Sequence, residues 1–190
     1  VIVDKNLRYL LNILPPHSEV VGCVLSDVSP FGKKESFVKK CIKTYKIFGL
    51  NFFVYYAIKF LISKFNIENN IFNILSEFNI PLISLSASIN NQNSVRKIKA
   101  FNPDLLVSIL GNQIFKSPII NLAPYGCLNL HSSLLPKYRG LMPTFWVLKN
   151  NEKTTGVSVF YVDEGIDSGP IIFQTKVEIG ERTQEELILF

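Results

Sequence analysis

Asn129 and His131 stand two residues apart in Gly126-Cys127-Leu128-Asn129-Leu130-His131, and Asp167 sits in the later turn Asp163-Glu164-Gly165-Ile166-Asp167-Ser168-Gly169. On a strand, residues two apart face the same way, so this amide and this imidazole would be neighbours. An Asn carboxamide donates to a carbonyl oxygen without titrating. A histidine can be neutral or cationic near neutral pH, so it can donate to an oxyanion and return a proton. A carboxylate beside it favours the imidazolium and can take a proton itself. Together the three could grip a carbonyl oxygen, stabilise an alkoxide and keep the proton balance, which is what moving an acyl carbon onto an amine requires. Taken singly they have plainer uses: a polar pair closing a strand end, and an Asp bonding locally in a turn.

The residues must be held by their elements. Residues 126–131 read as a strand that delivers His131 at its C-terminal end. The stretch Leu134-Leu135-Pro136-Lys137-Tyr138-Arg139-Gly140 has no helical period and reads as a fixed loop across strand ends. Arg139 there could bind a phosphate or carboxylate through its fork, or simply be a surface arginine. Further strands are expected at 19–26, 81–85, 104–110, 156–162 and 171–177, with residues 1–3 as the remnant of another. Helices are expected at 6–14, 35–48, 51–65, 70–78, 91–101 and 143–149. Thr183-Gln184-Glu185-Glu186 has capping-box spacing and starts a last helix. The βαβ alternation predicts an α/β fold, with an open, twisted, mostly parallel sheet and helices on both faces. Such sheets bind ligands outside the carboxyl ends of their strands, where His131 would lie. No Walker motif and no complete Gly-x-Gly-x-x-Gly is present.

Composition narrows the classes. A chain of 190 residues, 47% hydrophobic and 18% charged, is globular and large enough for a real core. Its net charge of +5 (20 − 15) suits an anionic partner such as a nucleotide or RNA; DNA is not expected. Cys23, Cys41 and Cys127 form no Cys-x-x-Cys and read as reduced thiols in a cytoplasmic protein. With two histidines in the chain, no metal cluster is expected. The apolar run 50–62 is shorter than the roughly 20 residues of a membrane span and is broken by Lys59. It reads as a helix packed on the core, or alternatively as one lying on a membrane surface or on another subunit of a homodimer. The chain lacks an initiating Met and ends in what reads as an interrupted helix, so a single domain truncated at both ends is expected.

The order Asn-x-His, Ser-Leu-Leu-Pro, Tyr-Arg-Gly, Gly-Val-Ser-Val and Asp-Glu-Gly-Ile-Asp-Ser-Gly resembles the formyltransferase family that uses 10-formyltetrahydrofolate. That family includes methionyl-tRNA, glycinamide ribonucleotide and amino-sugar formyltransferases. The resemblance covers residues 104–177 and is one of general pattern before that. It implies a Rossmann-like catalytic domain, with Asn129, His131 and Asp167 as the catalytic triad. It further implies that Gln113, Ile114 and Phe115 border the pterin, that Asp163, Glu164, Gly165 and Ile166 form a folate-binding loop, and that Ser133, Leu134, Pro136 and Arg139 line the acceptor side. Phe115 stands where the family more often has Leu, and the apolar segment 35–65 is not expected of the purine enzyme. An amino-sugar nucleotide is the first expectation for the acceptor, because the apolar segment suggests subunit or surface contacts. Methionyl-tRNA is the alternative, favoured by the basic charge and by Tyr138-Arg139-Gly140. Two rivals remain at this point: a hydrolase using water as acceptor, and a non-catalytic folate- or nucleotide-binding domain.

Overall fold

The computed structural model describes residues 3–25, 36, 38–39, 41–42, 45–46, 49–50, 53–55, 57–58, 71–109, 111 and 113–188. They fall into two compact units, one of 1–23 with 33–82 and one of 24–32 with 83–190.

In the first unit, helix α1 runs over Val3–Asn12. Residue 3 is therefore helical and not part of a strand, because the apolar spacing of Leu7, Leu10 and Leu11 extends back through it. The helix stops short of Pro15-Pro16, which cannot continue it. Helix α2, Ile71–Glu77, buries Ile74 and Leu75, and the Arg8 guanidinium pairs with the Glu77 carboxylate. The strands expected at 19–26 and 81–85 reduce, among the described residues, to one parallel bridge between Cys23 and Leu82, with Cys23 N–H donating to Pro81 O at 2.9 Å. Pro81 has no N–H to extend that ladder. Much of the two helices expected over 35–65 lies outside the described residues. Of the apolar run 50–62, Leu50, Val54, Tyr55 and Ile58 are exposed and Phe53 is half-buried; the rest of its large apolar side chains lie outside the described residues. Among the described residues no helix is long and apolar enough to cross a membrane.

The second unit carries the sheet. Helix α3, Gln92–Lys99, is capped by the Asn91 side chain and ends in Arg96, Lys97 and Lys99, which suit the negative end of its dipole. Then follow β1 (Leu106–Ile109), α4 (Ser117–Ile120), β2 (Cys127–His131), α5 (Pro143–Lys149), β3 (Thr154–Tyr161), β4 (Ile171–Glu178) and α6 (Gln184–Ile188). The sheet order is β1-β2-β3-β4. β1 and β2 are parallel, with Leu106 opposite Cys127. β2 and β3 are antiparallel, with Asn129 opposite Phe160 and His131 opposite Ser158. β3 and β4 are antiparallel as well.

The α/β class stands, but this sheet is mixed and not mostly parallel. Residues 110–126, carrying α4, are long enough for the crossover that parallel strands need, whereas the loop 162–170 is not, so β4 returns antiparallel. Phe160, Ile119 and Cys127 are almost fully buried. Val147, Ile179 and Leu187 form a cluster that joins α5 to α6. The capping box is present: Glu186 Oε2 accepts from Thr183 N at 2.7 Å and from Thr183 Oγ1 at 2.8 Å, and Glu186 N reaches Thr183 Oγ1 at 3.4 Å.

Candidate active site

His131 ends β2 and is 7% exposed. Its Nε2 lies 2.8 Å from Tyr138 O. A carbonyl only accepts, so Nε2 carries the proton of that bond. Its Nδ1 faces Asp167 Oδ2 at 3.5 Å, longer than a good hydrogen bond. The same Oδ2 accepts Gly140 N–H at 2.7 Å. The loop after β2 thus folds back over the ring. Its 138 carbonyl takes one ring nitrogen, and its 140 amide holds the carboxylate that faces the other.

Two backbone conformations make this possible. Gly140 has φ +90° and Asp167 has φ +47°. Glycine enters the left-handed region freely, and Asp is among the few other residues that tolerate it. Asn129 lies two residues before His131 on the same strand. Its Oδ1 is buried and has no hydrogen-bond partner among the described residues. A buried acceptor left open costs about 1–3 kcal/mol, so its presence calls for a ligand-side reason.

The loop over His131 is fixed from below. Ser158, fully buried on β3, donates to Ser133 O at 2.6 Å and accepts from Leu135 N at 3.1 Å and from Gln174 Nε2 at 2.8 Å. Gln174 Nε2 also donates to Leu135 O at 2.9 Å. Gly156 gives the loop room, since a Cβ there would collide with Thr175 O and with the Leu134 side chain. Tyr138 is anchored at its other end, its hydroxyl donating to Glu152 Oε1 at 2.7 Å and accepting from Asn150 Nδ2 at 3.1 Å.

The turn that presents Asp167 is built the same way. Asp163 Oδ1 accepts from Gly165 N at 3.0 Å and from Ser168 Oγ at 2.7 Å. A Cβ on Gly169 would run into Tyr161 O. Glu164 reaches out of this turn and accepts from Ser117 N at 3.2 Å and from the Ser117 hydroxyl. That joins the 163–166 turn to the 113–117 segment. The latter is fixed in turn by Asn90, which donates to Ile114 O at 2.8 Å and accepts from Lys116 N at 2.9 Å, while Gln113 Oε1 accepts from Ile89 N at 3.1 Å. Ile114 and Ile166 are exposed and Phe115 is half-buried.

Residues singled out from the sequence therefore divide. His131 and Asp167 come together, and so do the 113–115 and 163–166 segments. Ser133 is fully buried and its hydroxyl donates to Lys137 O at 2.9 Å, so its side chain is already used within the loop. Leu134 and Pro136 border a cavity of about 270 Å³ that the Tyr138 side chain and Val147 also line. Arg139 is exposed and has no carboxylate partner among the described residues. Tyr138, Gly140 and Ser158 stand in the sequence only as letters of motifs, with no role of their own, and Gln174, Asn90 and Ser117 carry no signal there. Tyr138 and Gly140 act through backbone atoms, which leave no mark in residue type. The Gly after Tyr-Arg was the one visible signal. Among the described residues no group of three His, Cys, Asp or Glu side chains could hold a metal.

The sequence model of the formyl transferase family matches residues 61–188. The chain belongs to that family. A methionyl-tRNA formyltransferase of Alkaliphilus oremlandii is 43% identical over 110 residues, which cover 57% of this chain and 35% of the relative. One of Kosmotoga olearia is 41% identical over 103 residues, covering 54% and 33%. The chain thus spans about a third of the length of the curated relatives it matches. Among solved structures, phosphoribosylglycinamide formyltransferase from Bacillus halodurans superposes with a TM-score of 0.52 at 30% identity over 60% of this chain and 63% of that one. The enzyme of the same name from Anaplasma phagocytophilum gives 0.55 at 26% identity over 62% and 58%. These likenesses agree with the Rossmann-like fold.

Proposed function

We propose that this formyl transferase family member transfers a formyl group from 10-formyltetrahydrofolate to the amine of methionyl-tRNA. The observation that carries the chemical part is the clasp of Tyr138 O, His131, Asp167 and Gly140 N–H beside the open amide of Asn129. The acceptor differs from the amino-sugar nucleotide expected first. Relatives between 34% and 43% identical are methionyl-tRNA formyltransferases, and the apolar segment that favoured a sugar lies in large part outside the described residues.

The residues fit a reduced folate. Ile114, Phe115 and Ile166 offer apolar side chains on two segments tied together by Glu164 and Ser117, and Asn129, near the C-terminal end of β2, carries a buried Oδ1 with no hydrogen-bond partner among the described residues. Bound there, the folate supplies an activated formyl carbon. Asn129 donates through Nδ2 to the formyl oxygen, and its open Oδ1 accepts an N–H of the incoming amine. His131 keeps Nε2–H on Tyr138 O. Its Nδ1, not bonded at 3.5 Å from Asp167, is available to donate to the oxygen as negative charge develops there. Asp167, steadied by Gly140 N–H, would balance the charged ring, take the proton that the amine sheds as its bond to the formyl carbon forms, and return it to the nitrogen released when the donor's bond to that carbon breaks. Preorganised donors of this kind are worth about 10²–10³ in rate each.

The test is formyl transfer by the full-length protein to methionyl-tRNA and to an amino-sugar nucleotide under identical conditions. Methionyl-tRNA is expected to be formylated and the sugar not. Transfer to the sugar alone would overturn the acceptor, and formate release at the same rate without any amine would point to a hydrolase.

A further inference from the structure

Helix α5 is amphipathic in an inverted sense. It buries Pro143, Thr144 and Val147. Phe145 and Trp146 are 39% and 44% exposed, and Leu141 and Met142 just before them 59% and 56%. At about 100° per residue, Phe145, Trp146 and Lys149 share the side opposite the buried three, and Met142 precedes the helix as its left-handed N-cap. The Phe145 and Trp146 rings stand edge to face with centroids 5.3 Å apart, and Lys149 Nζ lies 4.8 Å from the Trp146 ring centre. A contiguous apolar patch of this kind on a surface marks a contact site. It begins at Gly140, whose N–H holds Asp167, so its occupant lies next to the candidate active site.

We propose that this face of α5, together with Arg139, seats the unpaired 3′ end of an RNA. Terminal bases stack on Trp146 and Phe145, and phosphates meet Arg139 and Lys149. The inference rests on the methionyl-tRNA reading and says where the acceptor end lies. Two partly exposed aromatic rings set edge to face offer π-surface on which unpaired bases stack without sequence preference. Lys149 Nζ, 4.8 Å from the Trp146 ring centre, puts a cation where a phosphate beside a stacked base would lie. Cations within an apolar patch fit an anionic occupant better than a protein helix, and the chain's net charge of +5 has the matching sign.

The experiment measures binding of a fluorescently labelled single-stranded RNA with a free 3′ hydroxyl to the full-length protein by anisotropy. Trp146→Ala should weaken binding on the order of 5- to 150-fold. Lys149→Glu should weaken it too, and should reduce the slope of log affinity against log salt by about 0.7, the share of one phosphate contact. Both positions are exposed, so the far-UV spectrum and the binding of a reduced-folate analogue should match those of the parent. Unchanged RNA affinity in both variants would overturn the inference. Displacement of the RNA by a mononucleotide at equal concentration would do so as well. If methionyl-tRNA is formylated normally by both variants, the surface assignment falls while the activity stands. If RNA binds through Trp146 but no methionyl-tRNA is formylated, the acceptor reading falls instead.

Discussion

A histidine between a carbonyl and a carboxylate has its two nitrogens assigned by the chain before any substrate arrives. Tyr138 O takes Nε2–H, which leaves Nδ1 as the working atom facing Asp167. Asp167→Asn keeps the acceptor for Gly140 N–H but removes the charge opposite the ring, so the fold should persist while kcat falls by about 10²-fold or more; steady-state kinetics beside a thermal melt checks both. Tyr138→Phe is the subtler probe. It removes the hydroxyl bonded to Glu152 and Asn150 without touching the carbonyl on His131. A loss of about 1 kcal/mol in stability is expected, with a lower kcat and an unchanged KM for the formyl donor. An unaltered kcat would reduce Tyr138 to a packing residue. Asn129, His131 and Asp167 were visible as candidates in the sequence, because their side chains suit the chemistry and their motifs resemble the family's. Tyr138 and Gly140 were not, since a carbonyl and an amide exist at nearly every position, and only the fold decides which of them is aimed.

Strands and helices of the second unit agree with the local pattern apart from small errors at the ends and the one-turn helix α4 (Ser117–Ile120), which was not expected. Pro143 opens α5 where an N1 proline belongs. Thr183 and Glu186 close the capping box that their spacing announced. Pairing direction was less visible, because β3 looks the same whichever way its neighbour runs; the short 162–170 loop held the decisive clue. The direction of the Ser133 hydroxyl, which donates to Lys137 O, was not visible in sequence either. Two predictions belong here. Ser158→Ala leaves Leu135 N and Gln174 Nε2 without their shared acceptor and should cost about 1–3 kcal/mol in urea unfolding, with activity reduced because the loop over His131 loosens. The Thr183 bonds hold the Glu186 carboxyl below its ordinary range. A depressed value means that its support for α6 is present above the ordinary carboxylate range and is lost as pH falls through the lowered value. Carboxyl titration by NMR should find it below the other exposed glutamates.

Across the whole molecule, burial decides which thiols can react, and Cys127 lies in the interior of the sheet. Burial pushes the Cys127 thiol up to about 11. Because the unfolded thiol ionises near 8.5, the folded state holds its proton longer. That contribution to stability is complete below the unfolded value and is lost as pH rises towards 11. A thiol reagent at mildly alkaline pH should therefore modify the half-buried Cys41 promptly and the buried Cys127 only on global unfolding. Equal labelling rates would mean that β2 opens locally. The molecule as a whole comes down to one spatial meeting at the end of β2, and labelled formyl transfer to methionyl-tRNA, with His131→Ala and the parent full-length protein run side by side, tests it most directly. The expected result is transfer by the parent and a drop of at least 10²-fold in the variant at unchanged stability. Equal turnover by the two proteins would contradict it.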